Sequence, residues 1–308
     1  MRNVLSLVLF SAAIFGGGCH NSPDVRHDKG LWTFSENEQP LLIYNHSAMT
    51  YKPYVVQLYT PSGVNVLRDQ VADHLHHHGL MLGWSVNGIN FWEETAGCGY
   101  QVPAPATGKA SGTLFGSQSR LFHESRWLDA AKAAKELTEE RLIETHSVPK
   151  CEAVLTTWTS VLSVPAGREA AKISGRHFDG LGMRFVQSMD NNGEFVYADG
   201  QPGPIFRGDE RLTEGAWCAY RSAVEGKPVT VAMFDDPANP RPATWFTMKE
   251  HFAYLSATMR LHEMPLEVTA DKPATLRYGI ALWDGHRSDS DIETLYQDWL
   301  RKIKTSSK

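Results

Sequence analysis

Four of the five residues from His74 to His78 are histidines, with Asp73 before them and Gly79 after. Imidazole changes charge near neutral pH and ligates metals through a neutral ring nitrogen, so such a cluster suits proton transfer or metal binding. On an extended strand the side chains alternate. His74, His76 and His78 would then share one face, and Asp73, Leu75 and His77 the other. In the metal reading, a divalent ion sits on His74, His76 and His78. Alternate residues of a strand lie about 7 Å apart, so the ion draws a further ligand from His177, His251, Glu93 or Glu94. In the metal-free reading one histidine is a general acid or base, oriented by Asp73 or Asp69. Arg68 and Arg184 are then candidates to hold a carboxylate or a developing oxyanion. A single histidine is as readily explained by a hydrogen bond within a turn; four together argue for function.

Other features carry less. Glu93 and Glu94 are neighbours and in a strand would point to opposite faces, so at most one enters a site. Glycoside hydrolysis needs two placed carboxylates, and sequence does not pair them. Trp84, Phe91, Trp92, Trp127, Trp158, Trp217 and Trp245 include candidate sugar platforms but mostly read as core. Asp235 to Pro240 reads as a rigid turn. The chain has no P-loop, dinucleotide fingerprint or G-x-S-x-G. A net charge of −5 without basic clusters excludes a nucleic-acid footprint.

The elements that must position these residues are strands. Short alternating apolar runs recur between Gly, Pro, Asn and Asp, at residues 54–59, 80–84, 89–92, 154–164, 182–188, 228–234, 253–261 and 275–283. Asn87-Gly88 is a strong hairpin signal. Ser288 or Asp289 caps a C-terminal helix whose Ile292, Leu295, Tyr296, Trp299 and Ile303 share one face. Asp129 to Glu140 has helix propensity but lies between strand-like runs, so helix and hairpin compete there. Gly97 to Gly116 reads as a long surface loop.

Arg2 and the apolar run Val4 to Phe15 make a signal segment, too short to span a bilayer. The run ends in Gly16-Gly17-Gly18-Cys19, which suits lipidation of Cys19, although Gly16 stands where leucine is usual. The expected organisation is a signal peptide at 1–19, a polar tether at 20–29 and one domain at 30–308. The protein is expected to be exported, as a periplasmic or cell-surface lipoprotein that meets the membrane only through its lipid. Cys98, Cys151 and Cys218 remain, an odd number with no C-x-x-C, so their pairing is open.

Tyr59-Thr60-Pro61-Ser62-Gly63, Arg68-Asp69 and Asp73-His74-Leu75-His76-His77-His78-Gly79 resemble the "methane oxygenase PmoA" family of exported bacterial proteins. Its members carry Y-T-P-x-G, R-D and D-H-P-H-H-R-G. Similarity continues through Gly88 to Trp92, Gly180 to Arg184, Asp236 to Pro240 and Leu276 to Tyr278. Leu75 replaces proline and His78 replaces arginine. The name says little of activity, since the chain lacks the transmembrane helices of the methane monooxygenase subunit. His74-Leu75-His76 is also similar to the H-L-H-G-G segment of galactose-mutarotase-like proteins. That resemblance implies a β supersandwich acting on sugars through a histidine pair and a carboxylate, with His177 and either Glu263 or Glu267 as counterparts.

The expectation is therefore an all-β, large antiparallel sandwich of supersandwich type with a C-terminal helix. Its function would be that of an exported carbohydrate-active enzyme, an epimerase, lyase or hydrolase. Proton transfer would use His74, His76 and His77 with Asp73, Arg68 and His177, on a carbohydrate or other small molecule. The alternatives are a non-catalytic glycan-binding lipoprotein, and a metal-dependent or metal-binding protein built on His74, His76 and His78.

Overall fold

A computed structural model describes residues 22–113 and 116–306. The signal segment and Cys19 lie outside the described residues. The strands form one sheet of ten and one of nine, with a small sheet of four beside them. The ten-stranded sheet runs from Pro23–Asp28 through Tyr54–Leu58, Leu80–Gly83, Gly180–Arg184 and Tyr254–Thr258 to Ile205–Arg207. The nine-stranded sheet centres on Lys227–Asp235, Ala274–Asp284, Ala153–Ser163 and Lys135–Val148. Neighbouring strands pair antiparallel throughout these central regions. The all-β antiparallel sandwich expected from the alternating pattern is thus the observed fold.

Alternation decides what each sheet face packs against. Leu82, Leu181 and Leu255 from the first sheet meet Ile143, Trp158 and Leu282 from the second in one core between them. Leu155, Ala281 and Trp283 point the other way. They are covered by the helix Asp289–Ser306, through the predicted face of Ile292, Leu295, Tyr296, Trp299 and Ile303. Its start is a reciprocal cap: Asp291 N donates to Ser288 Oγ at 3.2 Å, and Ser288 N to Asp291 Oδ2 at 3.1 Å. On the first sheet the outward residues Tyr54, Met81 and Tyr254 gather Trp92, Phe246 and Phe252 into a separate cluster. No described helix is long and apolar enough to cross a membrane.

Two local expectations need correction, and one choice left open is decided. Residues 23–28 are not tether but a strand, antiparallel to Leu31–Glu36. Lys29 and Gly30 both take positive φ, the two-residue turn that matches strand twist. Asn87-Gly88 makes the same turn where it was expected. Asp129 to Glu140 is the turn and second arm of a long hairpin, Gly116–Leu128 against Lys135–Val148. Asp129 Oδ1 accepts the Ala133 and Ala134 amides, and alternate burial of Leu137, Arg141 and Ile143 overrides helix propensity. Within Gly97 to Gly116, Tyr100–Pro103 and Thr107–Thr113 are strands added to that hairpin. Their amides find partners on a neighbouring chain segment, which composition does not reveal.

The core also holds an ion pair. Arg141 and Glu139 are fully buried and bonded twice, at 2.8 Å each. Arg141 Nη1 also donates to Tyr44 Oη of the first sheet and to the Pro53 carbonyl just before its strand Tyr54–Leu58, both at 2.9 Å. Glu139 accepts from Trp127 Nε1 and Ser160 Oγ. Removing one partner strands the other charge, so Glu139→Leu should lower stability by about 3–5 kcal/mol. Urea unfolding would check this; a loss under about 1 kcal/mol would mean Arg141 needs no counter-charge there.

Candidate functional site

Residues 70–78 are not a strand. Successive turns join them, with His74 N bonded to Val71 O (2.9 Å) and His77 N to His74 O (2.8 Å). A turn of that span brings residues three apart together. The rings of His74 and His77 stack at 4.5 Å, and His76 meets His77 edge-on at 4.6 Å. His78 is turned into the interior. The predicted sharing of one face by His74, His76 and His78 is therefore wrong, because it assumed extended backbone. The metal site on those residues fails with it. His78 uses both ring nitrogens on carboxylates, and no group of three ligating side chains forms among the described residues.

His74, His76 and His77 line a cavity of about 470 Å³ on the outer face of the first sheet. Its floor is aromatic, from Trp92, Phe178, Phe246, Phe252 and Tyr254. Gly182 makes room for that floor: a Cβ there would lie 2.0 Å from Tyr254 Oη and 3.1 Å from Trp92. Trp92 Nε1 and Tyr254 Oη are buried without a hydrogen-bond partner. Both atoms lie behind the floor rather than on its surface, with Tyr254 Oη packed over Gly182, so the polar groups open to the cavity are those of its rim.

Charge is arranged around Asp73. Its Oδ2 accepts from His74 Nδ1 and from Arg184 Nη2, both at 3.0 Å. Partial burial pushes this carboxyl up, but the two hydrogen bonds and the guanidinium overcome that and hold it at about 2. Asp73 is thus an acceptor. His74 carries its proton on Nδ1, which leaves Nε2 as the basic nitrogen. Arg184 is 1 % exposed; its guanidinium lies 3.4 Å from the Phe252 ring centre and Nη1 faces His77 Nδ1 at 3.3 Å. Burial, then the neighbouring histidines, lowers His77 to about 2; burial and the Lys52 charge lower His76 to about 4. Both are neutral imidazoles at neutral pH.

His78 lies beneath. Nδ1 donates to Asp69 Oδ1 at 2.6 Å and Nε2 to Glu94 Oε1 at 2.8 Å, while the ring stacks on Tyr54. Lys52 Nζ also donates to Glu94 and to the Trp92 carbonyl. Burial pulls the His78 pKa down, but the two carboxylates outweigh it and raise it. With both ring nitrogens donating to carboxylates, His78 has the hydrogen-bond pattern of a protonated imidazole.

The remaining expected residues are dispersed. Arg68 does not line the cavity; its Nη2 holds Asp190 at 2.7 Å, and Asp190 Oδ1 accepts the Ala253 amide beside Phe252. It thus supports the segment that carries Phe252 rather than the cavity surface. His177 is not in the lining either and stands behind Glu210, with Nε2 3.0 Å from Oε2. Glu263 pairs with Arg260 and lies outside the cavity, as does Glu267. The carboxylates that do line it are Asp73, Glu93 and Glu210, each next to an arginine: Arg184, Arg176 and Arg207. His251 joins the rim. Glu210, Arg176 and Arg207 were missed. No local motif marks them, and only strand pairing brings them to the histidines.

The cation at His78 predicts a pH-dependent stability. A raised folded pKa contributes stability below the unfolded value of about 6.5, lost as pH rises through the folded pKa. The advantage of the native protein over His78→Gln in urea should therefore be larger at about pH 6 than at about pH 9. An advantage independent of pH would show that His78 acts through packing alone.

Comparison with known proteins supports the fold. The GH36 α-galactosidase AgaB from Geobacillus stearothermophilus matches 85 % of this chain with a TM-score of 0.52 and 8 % identity. The α-galactosidase from Lactobacillus brevis matches 86 % with a TM-score of 0.45 and 6 % identity. The chain spans about two fifths of these enzymes, 41 % and 40 % of their lengths. No curated protein matches in sequence. A family model does match, over residues 31–297, and the chain belongs to that family, the family of unknown function DUF6807.

Proposed function

We propose that this protein is a carbohydrate-active enzyme in which His74, oriented by Asp73, is the general base. The observation that carries the reading is the Asp73–His74 pair opening on a cavity with an aromatic floor and a rim of Glu93, Arg176, Arg207 and Glu210. Sugars present apolar ring faces and a rim of hydroxyls. Aromatic faces take the former, while the carboxylates and arginines of the rim meet the latter. The fold shared with an α-galactosidase supports the same substrate class. So does the resemblance of His74-Leu75-His76 to galactose-mutarotase-like proteins.

In this reading His74 Nε2 removes a proton from a sugar hydroxyl or from carbon beside a carbonyl. The imidazolium so formed is stabilised by Asp73, which Arg184 keeps ionised. Neutral His76 and His77 leave room for that new charge. Hydrolysis by a carboxylic-acid pair fits less well, because Glu93 is held down by its bond to Arg176 and Glu210 accepts from Arg207 and His177. Isomerisation, epimerisation or elimination at a sugar is therefore the reaction class. Export and anchoring through Cys19 belong to the same proposal.

NMR in D2O with glucose, galactose, mannose and galacturonate would follow anomer exchange and deuterium uptake at carbon. His74→Gln and Asp73→Asn should each slow the accelerated process by about 10²–10⁴-fold, with thermal unfolding little changed for His74→Gln. Turnover at the native rate in His74→Gln would remove His74 as the base. Sugar binding without any turnover would identify a glycan-binding protein instead.

A further inference from the structure

The main cavity adjoins a second one of about 400 Å³, and Arg176 lines both. Both volumes fall in the range of about 300–1,000 Å³ usual for small-molecule sites. The second is polar, with Ser85, Asn90, Ser174, Asp179 and His262 in its wall. The two share structure as well as a residue. Asn90 Oδ1 accepts the Trp92 amide at 2.8 Å and the Glu93 amide at 3.1 Å, so the side chain facing one cavity sets the wall of the other.

Arg176 is clamped at the junction. Nη1 is bonded to Glu93, Nε lies 3.4 Å from Asp179 Oδ1, and its backbone N–H donates to Asp179 Oδ2 at 3.0 Å. His262 stands in the wall of the second cavity with Arg176. Beside them stands Phe206, 48 % exposed, stacked on His177 at 4.1 Å and edge-on to His262 at 6.1 Å. An exposed aromatic ring beside the polar wall of Asn90, Ser174 and His262 repeats, one step along, the pairing of aromatic and polar groups in the first cavity.

We infer that the two cavities are consecutive subsites of one groove, so that the ligand is a saccharide of at least two residues, held at its junction by Arg176. This rests on the carbohydrate reading of the first cavity and adds the size of the ligand. The first residue lies over the aromatic floor near His74, and the second meets His262 and Asn90.

The test is calorimetric binding of maltose, cellobiose, lactose and melibiose, each beside the methyl glycosides of its constituent sugars. At least one disaccharide should bind about tenfold or more tightly than either constituent. His262→Ala should erase that gain and leave methyl-glycoside binding unchanged. Ser174→Phe, which fills the second cavity from its wall, should do the same, with thermal unfolding checking that the fold persists. Equal affinity for disaccharide and constituent overturns the two-subsite groove while leaving the first cavity as a sugar site. Equal weakening of both by His262→Ala overturns it too. Binding of no saccharide at all overturns both readings.

Discussion

A guanidinium buried under the histidine segment governs this structure. Arg184 ends a central strand, and its backbone N–H reaches the Gly79 carbonyl while its own carbonyl accepts from Arg68. Out of water such a charge must be matched. The match comes from Asp73, whose carboxylate also orients His74, and from the face of Phe252. One desolvated cation therefore ties the segment 70–78 to the sheet, sets the ionisation of Asp73 and fixes which nitrogen of His74 is basic.

The same logic is used a second time below it. His78 is pinned between Asp69 and Glu94, and Glu94 is shared with Lys52. Lys52 in turn holds the carbonyl of Trp92, the largest ring of the cavity floor. The floor and the histidines are thus supported by separate buried cations, each balanced by carboxylates. The cavity is held by charge beneath and by aromatic packing above.

Position on the sandwich explains why the site is open. Both sheets have one face in the common core, and each outer face needs its own cover. The C-terminal helix supplies it for the second sheet with Trp299, Tyr296 and Leu295. On the first sheet the outer face carries Gly182 at its centre, and rings from several elements lean over that gap without closing it. A concave aromatic surface remains, and the histidine turn forms its edge.

The fold class, the capped helix and the Asn87-Gly88 hairpin were legible in sequence because they depend on local periodicity and turn chemistry. So was the histidine cluster that lines the cavity, since the density of histidines beside Asp73 is a local fact. The roles within that cluster were not legible. Alternation on an assumed strand put His78 beside His74, whereas a turn joined His74 to His77 and sent His78 to Asp69 and Glu94. Likewise nothing near Glu210 or Arg176 in the chain marks them. They reach the cavity through strand pairing over more than a hundred residues, with Glu210 beginning the strand paired to Thr244–Met248. By itself the sequence determined the fold class, the capped helix and the position of the histidine cluster. The tertiary structure alone decided which side chains meet, because burial and charge balance among distant segments act only once the sheets are assembled.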